Sequence, residues 1–283
     1  MTPSAALDGP FLLDGHVHFH PCFDPDRFFD SALANFRKAT SAVRRDAVPA
    51  GWLLFSESSG MDYFRRFRTA AGRPAHGGWI FHRTDEADSL VARGTGGGSL
   101  LLVAGRQLVT AEGLEVLALC CDADLDDGLP LPAAVEAARA RDAIVVLPWG
   151  FGKWWLRRGS LAARFVRSAR PTDIFLGDNG GRTGFLGTPR LFRLAARRGI
   201  GVLAGSDPFP LYREAKRVGG FGFALDGTVD PLRPAAGIRR LLRTEGRPLP
   251  YGRPVGPLEF LRNQLMIRVR DSPAAAGRHR FGA

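Results

Sequence analysis

The segment FLLDGHVHFHPCFD ends an apolar run and then sets histidines at positions 16, 18 and 20. Residues i and i+2 of a strand face the same side. His16 and His18 can therefore aim two neutral imidazoles at one point, which is what zinc or a similar transition metal needs. A carboxylate that could complete the set stands far along the chain in GVLAGSDPF, where Asp207 follows another apolar run. A strand histidine is more often a packing residue than a ligand, so the pair gains meaning only from what else is brought beside it.

The ends of the other apolar runs are also polar. LLFSES carries Glu57 and LLLVAGRQ reaches Gln107, with Glu115 in the next run. AIVVLPWGFGKWW places Trp149 before a glycine turn that carries Lys153, and DIFLGDNGGR ends in Asp178, Asn179 and Arg182. Glycines at such a turn allow close approach to a ligand. Lys153 could clamp a phosphate or carboxylate, or fill the space of a missing cation. It could equally be a surface lysine beside packed tryptophans. GFGKWW lacks the spacing and the Ser/Thr of a nucleotide phosphate loop. Ser206 has no nucleophile elbow around it. His20 lies beyond the strand beside Pro21, exposed or supporting the pair; His82 and the Cys120–Cys121 dipeptide are expected to be structural.

Elements must position these groups. Strands are expected in PFLLDGHVH, GWLLFSE, GGWIFHR, SLLLVAG, LEVLALC, AIVVLPW, DIFLGD and GVLAGSD, and a further one after AKRVGG. Helices are expected in RFFDSALANFRKATSAVRR, MDYFRRFRTAAG, PAAVEAARARD, SLAARFVRSAR and TPRLFRLAARRG. Apolar strands alternating with helices indicate parallel pairing with helical crossovers. About eight strands in about 210 residues favour a barrel over an open doubly wound sheet. The stretch from Gly77 to Leu119 has only short Gly-rich or polar links and reads as an antiparallel excursion. The expected domains are an α/β barrel over residues 1–245 and, over 246–283, a Pro/Gly loop, one helix and a frayed tail.

Composition narrows the function classes. The 283 residues are 45% hydrophobic and 24% charged, ordinary for a globular protein with a sizeable core. The net charge of +11 favours anionic partners. The arginines are scattered and no aromatic–basic pattern accompanies them, so nucleic acid is the minor candidate and a small anionic substrate the main one. Three cysteines, two of them adjacent, imply no disulfide framework. No signal segment and no apolar run of membrane-spanning length is present, so a cytoplasmic protein without a membrane partner is expected. The oligomeric state is left open.

FLLDGHVHFH resembles the opening motif of the PHP (polymerase and histidinol phosphatase) metal-dependent phosphoesterases, and the HxH opening of amidohydrolases. GVLAGSDPF resembles the closing motif of both. Between them GWLLFSESSG, LLVAGRQLVTAEGLEVLAL, AIVVLPW and DIFLGDN are similar in order and spacing to further PHP segments, over roughly residues 10 to 225. The resemblance implies a distorted TIM-like (β/α)7 barrel of the PHP type, here with a C-terminal helical extension, and a multinuclear metal cluster. The sequence departs from that pattern at several ligand positions. Ser58, Gln107, Leu147 and Phe209 stand where the family has ligands, Glu57 replaces an aspartate and Asp24 a histidine.

His16, His18 and Asp207 remain, with Glu57 or Glu115 as a further ligand. Such a set holds one Zn²⁺, Mn²⁺ or Fe²⁺ with a position left for water, or no metal at all. The expected function is a PHP-like phosphoesterase acting on a small, phosphorylated anionic substrate. Asp207 and Lys153 are the candidate catalytic residues, with Lys153, Asn179, Arg182 and Trp149 as substrate contacts. The alternative is a catalytically inactive protein of the same fold that binds an anionic metabolite or a protein partner. Gln107 discriminates between them, because an enzyme needing a bridging carboxylate would hardly accept an amide there.

Overall fold

A computed structural model of the chain describes residues 6–40, 51–76, 78–184, 187–244 and 248–270. In chain order the first half contains β1 (Leu7–Asp8), β2 (Phe11–Val17), α1 (Pro25–Thr40), β3 (Gly51–Phe55), α2 (Tyr63–Thr69), β4 (Pro74–His76), β5 (Trp79–Arg83), β6 (Ser89–Gly94), β7 (Ser99–Val103), β8 (Gly105–Val109) and β9 (Glu115–Leu119). The second half contains α3 (Leu131–Ala140), β10 (Ile144–Pro148), α4 (Leu156–Ser168), β11 (Phe175–Asn179), α5 (Arg190–Arg197), β12 (Val202–Gly205), a 3₁₀ turn (Tyr212–Arg217), β13 (Phe221–Leu225), β14 (Thr228–Val229), α6 (Pro234–Thr244), β15 (Leu249–Gly252) and α7 (Pro257–Arg270).

These strands form three open sheets, not the expected (β/α)7 barrel. The largest has the order β15-β13-β2-β3-β7-β6-β5-β4, the second β12-β11-β10-β9-β8, and β1 pairs with β14 alone. No closed barrel is present among the described residues. The cause lies in pairing. Parallel ladders join β2 to β3, β3 to β7, β10 to β11 and β11 to β12. The run from β4 to β7 pairs antiparallel throughout, as do β8 with β9 and β9 with β10. Only an isolated parallel bridge, Glu57 with Arg106, links the end of β3 to β8. Counting strands registers their number but not this break.

The large sheet and the second sheet also meet where β2 ends. β13 pairs with β2 only over Phe11–Leu13, and the β2–β3 register shifts between Asp14 and Val17. Such an irregularity re-aims side chains. Beyond it the end of β12 comes up against β2: the Asp207 amide donates to the His16 carbonyl at 2.9 Å. A Cβ on Gly205 would lie 2.3 Å from the His16 nitrogen, and one on Gly15 2.8 Å from the Ala204 carbonyl. Only glycine permits this approach.

The core follows the apolar patterning. Phe28, Phe29 and Phe36 of α1 and Phe64 and Phe67 of α2 are buried with Leu53, Phe55, Trp79 and Phe81 of the large sheet. The apolar faces of α3, α4 and α5 pack with β9, β10 and β11 through Val135, Val166, Ala195, Val145 and Leu176. The segment after residue 245 is more than a loop with a helix, because β15 adds an edge strand beside β13. The expected tail, residues 272–283, lies outside the described residues.

Candidate metal centre and cleft

β2 delivers His16 at its end and His18 just beyond it, both buried. Their Nε2 atoms lie 2.9 Å apart. Oδ1 of Asp207, from the turn after β12, lies 3.7 Å from His16 Nε2 and 3.5 Å from His18 Nε2. Among the described residues His16, His18 and Asp207 form the group whose donor atoms could converge on one ion, all within 4.8 Å of one another. Tetrahedral coordination with bonds of about 2.0–2.1 Å separates its donors by about 3.4 Å, so these spacings suit one ion.

The electrostatics agree with that use. Burial, and then the neighbouring His16, push the His18 pKa down to about 3, which keeps the ring neutral and its lone pair available. Burial would raise the Asp207 pKa, but His16, His18 and Lys153 outweigh it and hold the carboxyl below its ordinary value. Asp207 also has φ 43°, a left-handed backbone that a non-glycine residue rarely adopts. Such strain clusters at functional sites. The Nδ1 of His16 is buried without a hydrogen-bond partner among the described residues. Metal-bound histidines usually donate that second nitrogen, so this support is missing here.

A cleft of about 470 Å³ opens beside the group, lined by His18 and Asp207 but not by His16. Trp149, Asn179 and Lys153 line it, as do Gln107 and Glu115. Gln107 accepts at Oε1 across 3.3 Å from His16 Nε2 and donates from Nε2 to Glu115 Oε1 at 3.4 Å. Lys153 forms an ion pair with Glu115. The amide of Asn179 donates to Asp207 Oδ2. One hydrogen-bonded chain thus runs from the imidazoles through Gln107 and Glu115 to Lys153.

Two candidates lie elsewhere. Glu57 is turned toward α2, accepting the Phe64 amide at 3.1 Å with Arg106 at 3.7 Å. Burial raises its pKa to about 7. It joins neither the cleft lining nor the three-residue group. Arg182 binds Asp178 through two contacts of 2.7 and 2.8 Å and is likewise absent from the lining. Asp24 caps α1 by accepting the Arg27 amide at 2.9 Å. Both cysteines of the dipeptide are buried, as expected.

His20 was read from the sequence as exposed or supporting the pair, whereas Gln264 and Asp14 were not singled out. His20 lines the cleft rather than facing solvent, with Nε2 3.0 Å from the Pro208 carbonyl. Gln264 reaches the cleft from α7, and no local signal in the sequence marks it. Asp14 is fully buried and accepts the amides of Ser206 at 2.7 Å and Gly219 at 2.8 Å. It thereby ties β2 to the turn that carries Asp207. Burial raises its pKa to about 6. An aspartate inside the apolar run FLLDG was the signal available for it, since buried charges require partners.

A scan of protein-family models finds no match, and no curated protein matches the chain in sequence. Among solved structures, the crystal structure of PsfC from Pseudomonas syringae PB-5123 superposes with a TM-score of 0.52 at 14% identity, covering 92% of this chain and 96% of that one. The chain shares its fold with PsfC at that level. The lesion-specific endonuclease PfuEndoQ from Pyrococcus furiosus superposes with a TM-score of 0.47 at 11% identity, over 87% of this chain and 58% of that one.

Proposed function

We propose that the chain is a metal-dependent hydrolase, a PHP-like phosphoesterase in which His16, His18 and Asp207 hold one Zn²⁺, Mn²⁺ or Fe²⁺ ion. The convergence of their three donor atoms carries this reading. A fold hosts many reactions, so the choice rests on the site. When bound, such an ion supplies a Lewis acid that polarises a phosphoryl oxygen and lowers the pKa of water.

The chain's own residues account for the rest. The cleft lining carries two carboxylates, Asp207 and Glu115, against one ammonium, Lys153. The protein alone therefore contributes a net charge of about −1 there, and a divalent ion turns it to about +1, which suits an anionic substrate. Lys153 holds an anionic oxygen of the substrate, and Glu115 fixes the lysine. Asn179 occupies one oxygen of Asp207 and so orients the other. Asp207, its pKa held low, stays ionised and orients water as a hydrogen-bond acceptor. Trp149, Phe151 and Phe209 give the cleft apolar walls.

The test is elemental analysis of the purified, tag-free protein beside the His16→Ala/His18→Ala variant. The expected result is near one transition metal per chain, lost in the variant, followed by activity on a panel of small phosphoesters. Metal retained in the variant would overturn the ligand assignment. No metal in either protein after reloading would replace the hydrolase by a binding cleft for an anionic metabolite or a protein partner.

A further inference from the structure

One face beside the cleft exposes more apolar surface than a solvated protein needs. Trp155 is 58% exposed and Leu156 90%, at the start of α4. Leu258, at 84%, and Leu261, Leu265 and Met266 are exposed along α7. The two elements are joined through Phe151. Phe151 stacks edge-on to Trp155 at 5.0 Å and to Phe260 of α7 at 5.2 Å. Phe151 and Gln264 themselves line the cleft, so the start of α4 and α7 both reach its rim.

Leu156 adds a second observation. Its φ is 52°, in the left-handed region that favours glycine. The backbone is thus strained at the most exposed of these large apolar side chains. Strain of that kind persists where it serves a function.

We infer that the rim of the cleft is a docking surface for an anionic lipid bilayer. Charge selects this occupant. α4 has no acidic residue and presents the exposed Arg157, Arg164 and Arg167. Arg262 is exposed on α7, where the described acidic residue is Glu259. A second copy would carry the same charge of +11 and be repelled, whereas an anionic surface attracts it. Exposed Trp and Leu flanked by Arg match a helix face that lies in a lipid interface. No helix among the described residues is long and apolar enough to cross a membrane, so the contact is peripheral. The inference does not rest on the metal reading.

The test is co-sedimentation of the full chain with phosphatidylcholine vesicles, with and without about 30% phosphatidylglycerol. The expected result is binding to the anionic vesicles, weakened by salt and accompanied by a blue shift of tryptophan fluorescence. The variant Leu156→Gly/Leu258→Ser/Leu265→Ser alters only exposed side chains. It is expected to lose at least about tenfold in vesicle affinity with its metal content unchanged. Absence of binding, or unchanged binding by the variant, would overturn the proposal. A concentration-dependent dimer abolished by the same substitutions would assign the face to a second copy instead. Binding that appears only once residues 271–283 are removed would assign it to the chain's own C-terminus.

Discussion

The side-chain amide of Asn179 donates to Oδ2 of Asp207, leaving Oδ1 to face the two imidazoles. Asn179 is fixed in turn, because its own Oδ1 accepts the Gly181 amide at 2.5 Å. β11 therefore sets the orientation of a carboxylate that the turn after β12 supplies. Asn179→Ala frees that carboxylate to rotate. Metal affinity is expected to fall about tenfold or more, the usual cost of losing a group that orients a ligand, with the circular-dichroism spectrum of the metal-free protein unchanged. Competition with a calibrated chelator measures it, and wild-type affinity in the variant would remove Asn179 from the positioning of Asp207.

Ion binding should also register as stability. A ligand that binds only the folded state adds about 2.7 kcal/mol at a hundredfold excess over its dissociation constant. Chelation is expected to lower the melting temperature of the native protein and leave that of His16→Ala/His18→Ala unmoved. Equal shifts in both would place the ion elsewhere.

The Lys153–Glu115 pair should matter for binding more than for folding. Lys153 is about one-third exposed, and pairs open to water contribute about 0–1 kcal/mol. Lys153→Met is expected to leave stability within about 1 kcal/mol while weakening competitive inhibition by inorganic phosphate about tenfold or more. Glu115→Gln, which unties the lysine, should weaken it less. Phosphate binding that ignores Lys153 would leave the ion alone to hold the anion.

Glu57 predicts a pH dependence of stability. Its folded pKa is raised from 4.5 to about 7 by burial, so the protonated form is favoured in the folded state. The contribution is fully present below about pH 4.5 and is lost as the pH rises through about 7. Stability should therefore fall across that window, by at most about 3 kcal/mol from this group. Glu57→Gln is expected to flatten the slope in urea titrations at pH 5 and pH 7.5. An unaltered slope would show that Arg106 holds the carboxylate ionised throughout.

The sequence made some of this legible and hid the rest for physical reasons. Strand periodicity placed His16 and His18 on one side, and the run before Asp207 pointed to the far wall. Trp149, Lys153, Asn179 and Gln107 were read as strand-end groups and do line the cleft, as does Glu115 from the run that follows Gln107. Glu57 and Arg182 occupy equally polar strand ends, yet each is drawn off by a local partner, the Phe64 amide and Asp178. Partner choice depends on rotamer and tertiary contact, which one sequence does not record. The barrel failed for a similar reason: the alternation of apolar runs counts strands, whereas the break between β3 and β8 is set by which edges find ladders. β15 was missed because LPYG, with its proline and glycine, reads as a turn until β13 offers it an edge.

Glycines 15 and 205 let two separately built sheets touch where β12 comes up against β2, and the candidate donors straddle that contact. The histidines belong to one sheet and the aspartate to the turn leaving the other. An ion held among them would be a rivet between the sheets. Its removal would loosen the joint between the sheets before it disturbed either one, so amides near residues 16 and 207 should be the first to exchange with deuterium in the stripped protein.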